Sequence, residues 1–176
     1  MINFSGNYFD LFGLPPAFRF DVGALDRAYR QLQSEVHPDR FAGGSDAEKR
    51  VALQSSARVN EAYRALKDPV LRAQYLLSLR GVEAVGESDT RLPFEFLERQ
   101  LERREQASDA QAARDARTLS ALRDDARSEA HELEDLLGQM LDRGDADSTA
   151  RIRVRELTFL AKLAGDIDAM LAGIED

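Results

Sequence analysis

The sequence predicts an all-α protein built from two helical units. Apolar residues recur at three- and four-residue steps through most of the 176-residue chain, the period of a helix with one buried face. Helix-start signals precede several of these runs. A stretch rich in Gly, Ser, Asp and Thr at 81–92 has no apolar period and marks a linker. No segment alternates apolar and polar residues as a strand does, and there is no internal repeat.

The opening Tyr8-Phe9-Asp10-Leu11-Phe12-Gly13-Leu14 reads as a short apolar turn that anchors a core, closed by Pro15-Pro16. Asp21 is placed as an N-cap, and Leu25, Ala28, Tyr29, Leu32 and Val36 form one face of the helix that follows. Pro38 and Gly43-Gly44 end it. Ser45 with Glu48 matches a capping box, opening a second long helix with Ala52, Val59, Ala62, Tyr63 and Leu66 on its buried stripe. The connection around His37-Pro38-Asp39 is so short that the two helices must run antiparallel to bury both stripes. Asp68-Pro69 starts a shorter helix through Leu76, Leu77 and Leu79 to Gly81. The expected organisation is therefore a first unit at 1–80, a linker at 81–92 and a second unit at 93–176.

In the second unit Phe94, Leu97 and Leu101 begin one helix. Leu119, Leu122, Ala126, Leu133, Leu137 and Met140 define another, and Leu160, Leu163, Ile167, Leu171 and Ile174 a third, with Gly144 between the last two. Three amphipathic helices with short connections imply an antiparallel bundle.

The formal net charge of −8 argues against nucleic-acid binding, which needs cations to neutralise phosphates. The chain has no cysteine, hence no thiolate for zinc or an iron–sulfur cluster, so no resident metal or cofactor is expected. No basic leader opens the chain and no stretch approaches the roughly 20 apolar residues of a membrane span, which fits a cytoplasmic protein that makes no membrane contact. No motif places a nucleophile and no glycine loop suits phosphate, so an enzyme is not expected. His131 stands alone on a helix and reads as a solvated or partly packed side chain.

His37-Pro38-Asp39 is, by itself, a common turn sequence. Between the two long helices, however, it follows Tyr8-Phe9-Asp10-Leu11-Phe12-Gly13-Leu14 and Arg27-Ala28-Tyr29. It precedes Val59-Asn60-Glu61-Ala62-Tyr63 and Leu66-Lys67-Asp68-Pro69. In that setting it resembles the J-domain family. His37-Pro38-Asp39-Arg40-Phe41, Gly43-Gly44-Ser45, the run Leu71 to Leu79, Phe96 to Glu105 and Leu157 to Leu163 together resemble the HscB family across nearly the whole chain. The resemblance implies an N-terminal J-domain hairpin with flanking helices and a C-terminal three-helix bundle. It also implies two partners, an HscA-type ATPase chaperone of the DnaK class and an IscU-type iron–sulfur scaffold, with catalysis belonging to the ATPase.

The chaperone-binding residues expected from it are His37, Pro38, Asp39, Arg27, Arg30 and Arg40, and the scaffold-binding residues are Leu97, Leu101, Glu102, Glu105 and Phe159. Two departures stand out. Val36 precedes His-Pro-Asp where an aromatic is common, and Asp26 and Glu35 dilute the basic face of the first long helix, so weaker electrostatic docking is expected. Glu98 stands where an apolar residue is common and is left out of the expected site. Periodicity by itself assigns Leu97 and Leu101 to the bundle core, whereas Phe159 lies off its own helix's stripe. A general J-protein that delivers unfolded clients is the alternative function. It would normally bring a cysteine-rich zinc region or a Gly/Phe-rich linker, and neither is in the sequence.

Overall fold

The structure, a computed structural model, describes residues 6–83, 92–144 and 147–175. Among these residues the regular structure is helical, with no strand. The order is α1 (Tyr8–Phe12), α2 (Val22–Val36), a 3-10 turn at Pro38–Phe41, α3 (Asp46–Lys67), α4 (Pro69–Leu79), α5 (Phe94–Ala112), α6 (Ala116–Arg143) and α7 (Asp147–Glu175). No helix among the described residues is long and apolar enough to cross a membrane. The chain divides into two compact units, Met1–Leu76 and Leu77–Asp176. Most of the expected linker at 81–92 falls outside the described residues.

In the first unit the helix starts form where cap chemistry dictates. The Asp21 carboxylate accepts from the Gly23 amide at 2.8 Å, and Ser45 and Glu48 complete a capping box on α3. The expected apolar turn at the N-terminus is a short helix, capped by Asn7 and Asp10 and closed by Gly13 at φ 64°, a left-handed conformation that glycine adopts without strain. Its Phe9 is fully buried, in a core with Leu25, Val59, Ala62 and Leu66.

One cation belongs to this interior. Arg72, on α4, is 8% exposed; its Nε donates to the Leu66 carbonyl at 2.9 Å and its Nη1 to the Phe18 carbonyl at 2.7 Å. The guanidinium also lies over the Phe18 and Phe20 rings at 5.0 and 4.8 Å. It thus ties the segment before α2 to the end of α3.

In the second unit α6 and α7 pack along much of their length and α5 lies against both. Leu119, Leu122, Ala126, Leu160, Leu163 and Ile167 are buried as periodicity implies. α7 begins well before the apolar run that suggested it, because Ala150, Val154 and Leu157 are already buried. Arg151, Arg153, Arg155 and Glu156 interleave with them and conceal that stripe in the sequence. Glu156 is itself only 2% exposed and accepts from Arg153 at 2.6 Å.

Replacing Arg72 by Met should destabilise the protein by about 2–4 kcal/mol, since two carbonyls would lose a charged donor in a dry site. Denaturant unfolding checks this, and a loss below about 1 kcal/mol would contradict the clasp.

Candidate functional site

α2 stops at Val36 because the residue ahead of a proline is driven out of the helical region, and His37 takes φ −59° and ψ 128°. Pro38 then opens the 3-10 turn. The imidazole Nδ1 of His37 accepts from the Asp39 amide at 3.3 Å, so the histidine caps the turn with its own side chain. With Nδ1 accepting, a neutral ring carries its proton on Nε2, leaving a donor for a partner. The Asp39 carboxylate lies 3.5 Å from Nδ1 and its side chain is 90% exposed. An acidic acceptor and an imidazole donor are thus presented together. Arg40 turns back instead: its Nη1 donates to the Ser34 carbonyl at 3.0 Å, satisfying an acceptor in the last turn of α2.

Two further cations lie on α2. Arg27 is exposed and pairs with the N-cap residue Asp21 at 3.0 Å. Arg30 is exposed and helps hold Asp26 charged. Beside the loop runs a groove of about 540 Å³ lined by Val36, Phe41, Ala47, Val51 and Ala52, with Glu35 and Glu48 among its polar residues.

What holds the loop in place is the pairing of α2 with α3. Tyr29 stacks on Tyr63 with ring centroids 3.9 Å apart, and the Tyr29 hydroxyl donates to Asn60 at 2.9 Å. Gln33 also donates to that Asn60 oxygen. One turn further from the loop, the Asp26 carboxylate accepts from Tyr63 at 3.0 Å and from Lys67 at 2.8 Å. The hydrogen bonds from Lys67 and Tyr63 hold the Asp26 carboxyl below the usual carboxylate range, and the same Asp26 bond pushes Lys67 up. Burial, then the bond to Asp26, raises the Tyr63 phenol.

In the second unit the expected residues fall on a different part of α5 from the core reading. The face that α5 buries carries Phe96, Gln100, Ala107 and Ala110. Leu97 and Leu101 are 42% and 59% exposed, so the periodicity-based assignment to the core is corrected. Gln100 and two alanines supply little apolar signal, and the larger leucines beside them set the apparent phase. Glu102 and Glu105 are exposed on the same helix. Phe159 is half-buried, edge-on to Phe96 at 5.8 Å, with the Arg104 guanidinium 4.8 Å over its ring. Arg104 follows Leu101 by one helical step of three, which sets Phe159 at the border of the exposed leucine face. Sequence reasoning grouped Phe94, 76% exposed, with Leu97 and Leu101 on one helix but left it out of the expected scaffold-binding residues; nothing in a periodic pattern distinguishes an exposed aromatic from a core one.

Residues 7–75 match the model of the DnaJ domain, and residues 92–168 match that of the HSCB C-terminal oligomerisation domain. A co-chaperone protein HscB homolog from Burkholderia multivorans is 46% identical over 175 residues, 99% of each chain. The chain belongs to the HscB co-chaperone family. Chaperone HscB from Vibrio cholerae superposes with a TM-score of 0.85 at 34% identity, covering 96% of this chain and 99% of that one. Human co-chaperone protein HscB gives 0.87 at 26% identity, covering 95% and 83%. The hairpin with its polar loop lies within the DnaJ match of this HscB-family chain, and α5, α6 and most of α7 lie within the C-terminal match.

Because Asp26 has a depressed pKa in the folded protein, its contribution to stability is present above the unfolded carboxylate value and is lost as pH falls through the folded one. Asp26→Asn should therefore lower Tm at neutral pH, and the gap to wild type should close in acid. A gap independent of pH would show that the ion pair with Lys67 contributes nothing.

Proposed function

We propose that this chain is an adaptor that brings an IscU-type scaffold to an HscA-type ATPase of the DnaK class and stimulates that partner's ATP hydrolysis during iron–sulfur cluster assembly in the cytoplasm. In this reading 1–80 act as the J-domain, 81–92 as a linker and 93–176 as the scaffold-binding bundle. The observation that carries it is the His37-Pro38-Asp39 loop, displayed at the turn of a clamped hairpin in a member of the HscB family.

The loop suits a partner whose activity depends on its own polar network. It offers a donor and an anionic acceptor on a backbone stiffened by proline, and it needs no catalytic group of its own. Arg27 and Arg30 add exposed positive charge along α2, tempered by Asp21 and Asp26. Arg40 acts by fastening the loop to α2 through Ser34. The apolar groove lets a segment that meets the loop also bury surface against Phe41 and Val51. On the bundle, Leu97 and Leu101 with Phe159 at their border and Glu102 and Glu105 nearby form an apolar face with acidic neighbours, a composition that fits docking of a folded protein.

His37→Gln and Asp39→Asn should each abolish stimulation of the ATPase while helix content and scaffold affinity stay near wild type; a steady-state ATPase assay with circular dichroism on the same samples decides. Retained stimulation would make the loop a mere turn. Separately, Leu97→Ala combined with Leu101→Ala should weaken scaffold binding by roughly tenfold or more, since each side chain loses part of the ~1.5–3 kcal/mol available from burying it. The melt should hardly move, because both residues are exposed. Unchanged affinity in isothermal titration would remove these residues from the interface.

A further inference from the structure

Phe94 has the greatest exposure among the large apolar side chains of the described residues, at 76%. A lone exposed apolar residue is unremarkable. Phe94 is not alone: with Leu97 and Leu101 it follows three- and four-residue steps, so the three lie along one face of α5, turned away from the buried Phe96 and Gln100. The charges of α5 are also sorted. Arg99 and Arg103 both engage Glu129, at 3.5 and 2.5 Å, and Arg104 lies between Asp166 at 3.9 Å and the Phe159 ring. The exposed Glu95, Glu98, Glu102 and Glu105 make no ion pair among the described residues. Every cation of the helix is therefore directed toward the bundle, and the carboxylates are left along the open side.

We propose that Phe94 anchors the scaffold on α5, and that the partner's matching surface is an apolar hollow rimmed by Lys or Arg side chains that meet Glu98 and its neighbours. This rests on the scaffold reading above and extends it to two residues not expected at the site. Glu98 follows Phe94 by four residues and so lies beside it. Phe94 supplies the large apolar contact next to the position that Glu98 occupies with a charge, and Glu98 asks for a cation there. A second copy of this chain is the poorer occupant, because two-fold pairing of α5 would bring the two carboxylate rows together in a protein of net charge −8.

The test titrates the full-length chain with its host's IscU-type scaffold across a salt series, comparing wild type, Phe94→Ala, Glu98→Gln and the Leu97→Ala/Leu101→Ala pair. Phe94→Ala should raise Kd about tenfold or more, the loss typical of one large anchoring side chain, with an unchanged melt. Glu98→Gln should flatten the fall of affinity with salt. Unchanged binding by Phe94→Ala while the leucine pair is weakened overturns this inference alone; unchanged binding by both overturns the scaffold surface itself. A lowered melt in Phe94→Ala would show a packing residue and also overturn it. So would sedimentation showing that the wild type self-associates through Phe94.

Discussion

Two long antiparallel helices joined by aliphatic stripes are free to slide by a turn, because one leucine or alanine packs nearly as well against the next as against its neighbour. Here the sliding is stopped by groups that have only one good partner. The Tyr29–Tyr63 stack, the Tyr29–Asn60 hydrogen bond and the Asp26 carboxylate shared by Tyr63 and Lys67 set α2 against α3 at one register. The hydrogen bonds made by the two tyrosines are part-buried and so are screened less than surface pairs, whereas the Asp26–Lys67 pair is exposed to water and escapes the cost of burial. The position of His37 relative to everything else in the first unit follows from that register.

The loop inherits its order from both helices. Pro38 ends α2, Arg40 returns to the Ser34 carbonyl, and the imidazole caps the turn through Nδ1, so each element that shapes the loop also leaves Nε2 and the Asp39 carboxylate turned outward. Arg72 contributes at the far end, tying the Phe18–Phe20 segment to the end of α3. In the second unit the comparable constraint is the phase of α5. Burial of Phe96 and Gln100 against the bundle rotates Leu97 and Leu101 outward and brings Arg104 over Phe159. One residue of phase separates a core helix from one that presents an apolar face.

The hairpin was legible in the sequence because caps and breakers have strong local causes: Asp21, Ser45 with Glu48, Pro38 and Pro69 each act within a turn of where they stand. The core of the first unit and most of the bundle followed from stripes of large aliphatic residues. Two features did not. The buried face of α5 is made of Phe96, Gln100 and alanines, and a buried glutamine carries the wrong polarity for any periodic reading. The first half of α7 buries Val154 and Leu157 among the partly buried Arg151, Arg153 and Arg155, which a residue-level hydropathy pattern scores as solvent. Candidate site residues were legible by type and spacing, but their exposure depends on phase, and phase is decided by partners distant in sequence.

Under the proposed function, a polar loop for an ATPase and an apolar face for a scaffold would belong to one chain because the two acts are coupled: an adaptor would raise the local concentration of scaffold at the ATPase while its loop promotes hydrolysis. Single-turnover ATP hydrolysis by the HscA-type partner, measured with the wild-type chain alone, with the scaffold alone and with both, tests this most directly. Hydrolysis should accelerate well beyond the product of the separate effects when both are present. Acceleration by the chain that is indifferent to the scaffold would contradict the coupling, and acceleration by the scaffold with no contribution from the chain would contradict the account of the loop.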